Sequence, residues 1–178
     1  MPPISQATIQ QHLAAGDNAQ VAIHKGRHFE NLIDYIFSRI PGVRLTRRDA
    51  LNTFDSEEID LAFWNERRDD GLYFLPHIIL VECKNWSKAV DSSEVSWFDS
   101  KLRRRSMPFG ILVAANNITG DANQVAAAHE IIRQALGEGR QHVVITRREI
   151  EALNSTEQLV ELIQGKLCEL AVSGTLFL

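Results

Sequence analysis

The chain has 178 residues, of which 44% are hydrophobic and 24% are charged, and its formal net charge is −4. This composition excludes a disordered or fibrous chain, and the mildly negative charge excludes a protein that binds polyanions through its net charge alone. Two cysteines exclude a disulfide framework and favour a reducing compartment. Because the sequence shows no signal peptide and no apolar run of membrane-spanning length, we expect a single cytoplasmic domain with no membrane contact.

The first half of the chain predicts helices followed by strands. A short amphipathic helix is expected over residues 5–15. A longer helix is expected where apolar residues recur at the spacing of one buried stripe, at Phe29, Leu32, Ile33, Ile36, Phe37 and Ile40. Pro41 and Gly42 end this helix. Alternating or apolar runs then predict strands over residues 43–46, 58–64 and 77–84.

The second half of the chain changes period several times. The predicted elements are a helix over 92–105, a fully buried strand over 109–115, a helix capped by Thr119 or Asp121 that reaches residue 136, a strand over 142–146 and a helix over 156–171. This order predicts a mixed α/β sheet with helices on both sides. We expect one domain with a helical extension (1–22), a core (23–148) and a C-terminal helix and tail (149–178).

Charged residues end the third predicted strand, although the residues before them are apolar. Glu82 and Lys84 lie two positions apart and therefore on the same side of the strand. Asp60 lies on the neighbouring predicted strand. Because unpaired buried charges are costly, these three side chains are expected to meet a metal ion, one another or a polyanion. A simple ion pair at a strand end is the structural alternative.

This cluster suits metal-assisted hydrolysis of a phosphodiester bond. Mg²⁺ prefers oxygen ligands and keeps several waters, so Asp60, Glu82 and the backbone carbonyl of Cys83 are a sufficient ligand set. We expect Mn²⁺ to substitute for Mg²⁺. The pKa of Lys84 should be raised by the neighbouring carboxylates, so that its ammonium orients the attacking water and offsets negative charge.

Further candidates lie on the predicted helices. Glu30 lies roughly 90° from the centre of the apolar stripe of its helix, from where it could face the metal. On the 92–105 helix, one polar face opposite the apolar one is expected to contact nucleic acid through Trp97, Lys101 and Arg104. Arg47 and Arg48 belong to a basic tract over residues 25–48 with the same expected role. Solvated helix faces are the alternative.

These residues resemble the PD-(D/E)xK nuclease superfamily, which has the restriction-endonuclease-like fold. The resemblance rests on Glu30, Asp60 and Glu82-Cys83-Lys84 in their element order, with Ile59 in place of the motif's proline. Residues 26–30 and 81–86 are similar to Mrr-type restriction endonuclease domains. The resemblance covers about residues 26–146 and implies an αβββαβ core, Asp60 and Glu82 as metal ligands, Lys84 as the catalytic lysine and Glu30 as an auxiliary acid.

We therefore expect a Mg²⁺-dependent endonuclease that acts on duplex DNA in restriction, antiviral defence or repair. Cutting both strands would require a homodimer, since each chain offers one centre, and a partner protein of a defence system is a further candidate. The C-terminal helix and the tail over 175–178 could form the dimer contact. A catalytically silent nuclease-fold subunit that binds nucleic acid or assembles with other proteins, a structure-selective resolvase and an RNase remain alternatives.

Overall fold

The computed structural model describes residues 1–51, 58–85, 90–115 and 122–174. The expected helix cap at Thr119 or Asp121 and the tail over 175–178 lie outside the described residues. The helices are α1 (Gln6–Asn18), α2 (Ala22–Phe37), α3 (Ser92–Arg104), α4 (Ala122–Gly137), α5 (Arg147–Ala152) and α6 (Thr156–Ser173). The strands are β1 (Val43–Leu51), β2 (Glu58–Asn65), β3 (Ile78–Lys84), β4 (Phe109–Ala114) and β5 (Gln141–Thr146).

One sheet contains the five strands in the order β1-β2-β3-β4-β5. The pairs β1–β2 and β2–β3 are antiparallel, whereas β3–β4 and β4–β5 are parallel. This confirms the predicted mixed α/β sheet with flanking helices. Strand β3 therefore lies where the antiparallel and the parallel halves meet.

Both faces of the sheet are covered by apolar side chains. On one face, Ile9 of α1 and Phe29 of α2 belong to the same buried cluster as Val81 of β3. On the other face, Phe98 and Leu102 of α3 pack with side chains of β3, β4 and α4. All residues of β4 are buried, as its continuous apolar run predicts.

A close approach fixes how α3 lies on the sheet. A Cβ atom added at Gly110 of β4 would come within 2.7 Å of the side chains of Phe98 and Leu102. A larger residue there would require Phe98 and Leu102 to move. The side chains of helix α3 therefore pack directly on the backbone of the strand that adjoins β3.

Two elements differ from the sequence prediction. Strand β1 was expected to end at residue 46 but continues to Leu51 past a bulge between Leu45 and Arg47. Its second half is charged, and an edge strand tolerates charge because one side of it faces solvent. Helix α5 was not predicted, although Thr146 and Glu149 form a capping box at its start. No helix within the described ranges is long and apolar enough to cross a membrane.

Candidate active site

The register of β2 and β3 brings two acids to one place. Leu61 lies opposite Val81 in this antiparallel pair, and the next step of the same register places Asp60 opposite Glu82. The alternation along β3 turns Glu82 toward α3, while Cys83 packs against the core on the α2 side. The end of β3 is thus a charged edge between the sheet and α3.

Asp60 is held against the backbone of β3. Its Oδ2 atom accepts a hydrogen bond from the Cys83 N–H at 2.6 Å. Burial raises the pKa of Asp60 to about 7, with a further rise caused by Glu82, while the Cys83 amide, Lys84 and Lys101 oppose the shift. The two carboxylates are therefore close enough to repel each other, and a cation near both would relieve that repulsion.

Glu82 is almost completely buried, with 2% of its surface exposed. Its Oε1 atom lies 3.0 Å from Lys84 Nζ, and the same ammonium lies 2.9 Å from Glu94 Oε2. Burial lowers the pKa of Lys84, but the charges and hydrogen bonds of Glu82 and Glu94 outweigh this effect and raise it. Lys84 therefore stays protonated, as expected from the sequence.

The expectation that Lys101 lies on an exposed, nucleic-acid-facing side of α3 is wrong. Lys101 is 4% exposed, and its Nζ atom lies 2.7 Å and 2.8 Å from the two carboxylate oxygens of Glu82. Helical geometry turns each residue by about 100°, which places Lys101 about 90° from the centre of the apolar stripe. It therefore lies at the edge of the buried face and reaches the sheet.

The other predicted nucleic-acid contacts lie nearer to solvent. Trp97 is 42% exposed, and the Arg104 guanidinium lies 5.6 Å from the centroid of its ring. Arg47 is exposed and donates to the Thr46 carbonyl. Arg48 is half-buried and pairs with Asp34 of α2 at 2.9 Å. Contact of these side chains with DNA stays a prediction.

Glu30 belongs to a separate group of charges. It lies 3.3 Å from Arg27 and 3.9 Å from Arg48. Burial and then the Asp49 charge raise the pKa of Glu30, against the effect of both arginines. Burial raises the pKa of the Cys83 thiol, and Asp60 and Glu30 add to the rise. Glu30 thus approaches β3 from the α2 side, and its auxiliary role stays a prediction.

Sequence reasoning placed one residue of this edge wrongly, Lys101, and missed two others. The two missed residues are Glu94, which pairs with Lys84, and Asn85, whose side-chain amide donates to the Lys25 carbonyl at 2.8 Å. Asn85 joins the end of β3 to the start of α2. Their signals were available but weak, since Asn85 directly follows the motif and Glu94 lies in the first turn of a capped helix.

The donor set is small but chemically suited to a hard divalent cation. Within the residues that the structure describes, no group of three or more histidine, cysteine, aspartate or glutamate side chains could hold a metal ion. The candidate ligands are the carboxylates of Asp60 and Glu82 and the Cys83 carbonyl. That carbonyl points to the same strand edge as the Cys83 N–H, which binds Asp60. Carboxylate and carbonyl oxygens are the ligands that Mg²⁺ prefers.

A comparison with protein families agrees with this arrangement. The model of the Mrr catalytic domain, described as a restriction endonuclease, matches residues 23–138. The chain belongs to this family. The match covers well over half of the chain and includes every candidate site residue from Glu30 to Arg104. No curated protein is found to be similar to the chain.

Membership of this family confirms the resemblance to Mrr-type nucleases and the restriction-endonuclease-like fold. The chain is thus a restriction-type nuclease domain, and such a domain implies DNA as the substrate. Nuclease domains of this type generally use divalent metal ions.

Proposed function

We propose that this protein is a Mg²⁺-dependent endonuclease that hydrolyses phosphodiester bonds of duplex DNA at Asp60, Glu82 and Lys84. One observation carries the proposal: two acids on neighbouring strands repel each other beside a protonated lysine at a strand edge. Such perturbed groups cluster at functional sites. The family match supports nuclease chemistry independently of this geometry.

Each residue has a defined task in this proposal. Asp60, Glu82 and the Cys83 carbonyl would hold Mg²⁺, or Mn²⁺ in its place. When bound, the ion neutralises phosphoryl oxygens and lowers the pKa of a water molecule. Lys84, charged between Glu82 and Glu94, donates hydrogen bonds that orient the attacking water and stabilise negative charge on the phosphate. We assign Glu30 an auxiliary role from the α2 side.

The substrate and the setting are part of the same proposal. The exposed pair of Trp97 and Arg104 is suited to stacking and phosphate contact, and exposed Arg47 extends the basic surface. Two copies of the chain would be needed to cut both strands, so we propose a homodimer. Both cysteines are free, which supports a reducing cytoplasm. A role in restriction or antiviral defence, with a partner protein, is the setting that we propose.

The direct test is cleavage of plasmid and linear duplex DNA by purified protein with Mg²⁺, with Mn²⁺ and with EDTA. We expect cleavage with either ion, and loss of cleavage in Asp60→Ala, Glu82→Ala and Lys84→Ala. Arg68→Ala is the matched control, because Arg68 forms an exposed pair with Asp70 in the loop at the opposite end of β3. No cleavage of DNA or RNA with either ion would contradict the proposal.

One observation favours the alternative of a nuclease-fold subunit that binds DNA without cutting it. Both carboxylate oxygens of Glu82 already accept hydrogen bonds from Lys101. Binding that persists in EDTA, weakens with salt and leaves the strands intact would select this alternative. Branched, single-stranded and RNA substrates in the same assay separate a duplex endonuclease from a structure-selective resolvase or an RNase.

A further inference from the structure

The ion pair of Glu82 and Lys101 is buried at the candidate metal site. The side chains are 3% and 5% exposed. Lys101 donates to both oxygens of the carboxylate, at 2.7 Å and 2.8 Å. These oxygens are the atoms that Glu82 would offer to a metal ion. Lys101 therefore occupies the oxygen atoms through which Glu82 would bind a metal ion.

Two ammonium groups share this one carboxylate, but they do so differently. Lys84 pairs with Glu94 as well as with Glu82. Lys101 instead directs its ammonium at both oxygens of Glu82. Lys84 thus retains an acidic partner if Glu82 binds a cation, whereas a cation at Glu82 must compete with Lys101. Like charges at such short range repel strongly in a buried site.

The backbone around Lys101 holds its ammonium in place. Phe98 and Leu102, on either side of it in the sequence, pack close to Gly110 of β4. Asp99 anchors the same helix turn to β5 through the buried side chain of His142 at 2.9 Å. Because these contacts fix α3 against the sheet, the lysine reaches Glu82 without a movement of the backbone.

We infer that Lys101 is a positioning residue that replaces the divalent cation at Glu82 in the metal-free protein and competes with that cation for the carboxylate. It keeps buried Glu82 neutralised and oriented before loading, and it lowers the metal affinity of the site. The inference rests on the proposed function, since it takes Glu82 to be a metal ligand. A purely structural pair would stabilise the fold without affecting metal affinity.

The test is Lys101→Met, which keeps an unbranched side chain one atom shorter and removes the ammonium charge. Mn²⁺ binding is measured by titration calorimetry without DNA, and thermal unfolding is measured in EDTA and in Mn²⁺. We expect Mn²⁺ affinity at least about tenfold higher than that of the wild type, because a nearby positive charge is removed. We also expect a lower Tm in EDTA and a larger rise of Tm with Mn²⁺.

Lys166→Met is the matched control. Lys166 is also a buried lysine, 9% exposed, and it pairs with Glu149 at 2.8 Å far along the chain from the site. This variant should also lose stability in EDTA, but its Mn²⁺ affinity should equal that of the wild type. Unchanged or weaker Mn²⁺ affinity in Lys101→Met would overturn the inference.

Further outcomes keep the test decisive. If Lys101→Met is unfolded in EDTA, it should fold when Mn²⁺ is added, and a protein that stays unfolded at saturating Mn²⁺ would contradict the inference. A wild type that binds Mn²⁺ and cuts DNA, with equal affinity in the variant, refutes the inference alone. A wild type that neither binds Mn²⁺ nor cuts DNA refutes the proposed function and the inference together.

Discussion

Helix α3 contributes to two buried charged clusters, and these clusters shift the pKa of their aspartates in opposite directions. In the first cluster, Asp99 accepts two hydrogen bonds from Arg140, at 2.9 Å and 3.0 Å, and its carboxylate lies 2.9 Å from His142 Nε2. Burial disfavours its charge, yet the hydrogen bonds from His142 and Arg140 outweigh burial and hold the pKa of Asp99 below its usual range. In the other cluster, burial and Glu82 raise the pKa of Asp60 to about 7.

The two clusters differ in whether their carboxylates are paired with cations or face another acid. The Asp99 carboxylate pairs with the Arg140 guanidinium and lies 2.9 Å from His142 Nε2 of β5, so its charge is satisfied within the fold. Asp60 faces another acid, and the two lysines nearby direct their ammonium groups at Glu82. The second cluster therefore retains repulsion between Asp60 and Glu82 that the two lysines relieve only in part, and a bound cation would reduce it further. We propose that the first cluster stabilises the fold and that the second takes part in catalysis.

The largest expected effect is on activity. Glu82→Gln keeps the shape of the side chain but removes its charge, so a divalent ion and Lys101 both lose their anionic partner. We expect the cleavage rate of plasmid DNA to fall by at least about 100-fold. Asp99→Asn, matched in chemistry on the same helix, should retain wild-type cleavage per folded molecule. Equal loss of cleavage in both variants would remove the distinction between the clusters.

The next effect is on stability. Asp99→Asn removes the carboxylate that lies against His142 and leaves Arg140 with only the exposed partner Glu138. The free energy of unfolding should fall, by no more than the roughly 3–5 kcal/mol that breaking a fully buried ion pair costs. Urea denaturation at neutral pH measures this change. A variant as stable as the wild type would show that the Asp99 cluster does not hold α3 on the sheet.

Much of this arrangement was predictable from the sequence. The position of Asp60, Glu82 and Lys84 follows from period-two alternation on two neighbouring strands, because the register of an antiparallel pair leaves few alternatives. The helical stripe of α2 and the apolar run of β4 were equally clear. The second half of β1 was missed because its charged residues carry no apolar pattern, and its strand structure depends on pairing with β2.

The contact between Lys101 and Glu82 could not be predicted from the sequence, because strand alternation does not apply to a helix. Glu30 and Lys101 both lie about 90° from the apolar stripe of their helices. Glu30 pairs with arginines, and its predicted position facing the metal stays a prediction, whereas Lys101 was expected on the nucleic-acid-facing side of α3 and instead pairs with Glu82. The rotation and closeness of a helix on the sheet decide such flank positions, and here they depend on packing against Gly110.

Asp60 and Asp99 should also differ in how they change the stability of the fold with pH. The folded-state pKa of Asp60 is above its unfolded value of about 4. The unfolded chain then binds fewer protons than the folded one, so metal-free stability should fall as the pH rises from about 4 to about 7. Asp60→Asn should reduce this fall when unfolding is measured in EDTA, and the raised pKa of Glu30 accounts for a remaining part. An unchanged pH profile would contradict the raised pKa.

Asp99 should change the pH dependence of stability in the opposite direction in the same experiment. Its folded-state pKa is below the unfolded value, so its contribution is present above about pH 4 and is lost as the pH falls further. Asp99→Asn should therefore flatten the acid limb of the stability profile and leave the range above it parallel to the wild type. If Asp99→Asn instead flattens the stability profile at neutral pH, the assignment of the acid limb to Asp99 is wrong.

The smallest expected effect concerns DNA binding. Arg104 lies beside Trp97 on the exposed side of α3 and, in our proposal, contacts a phosphate. Arg104→Ala should weaken duplex binding uniformly across sequences and reduce the slope of log affinity against log salt by about 1. Fluorescence anisotropy in EDTA measures binding without cleavage. A wild-type salt slope in this variant would exclude Arg104 from the contact surface.

The most direct test of the central claim is a crystal structure of the protein with Mn²⁺, read from the anomalous signal of the ion. We predict one peak bound by oxygens of Asp60, Glu82 and the Cys83 carbonyl, with Lys101 withdrawn from Glu82. A structure at saturating Mn²⁺ without a peak at this edge, in which Lys101 still contacts both oxygens of Glu82, would contradict the account.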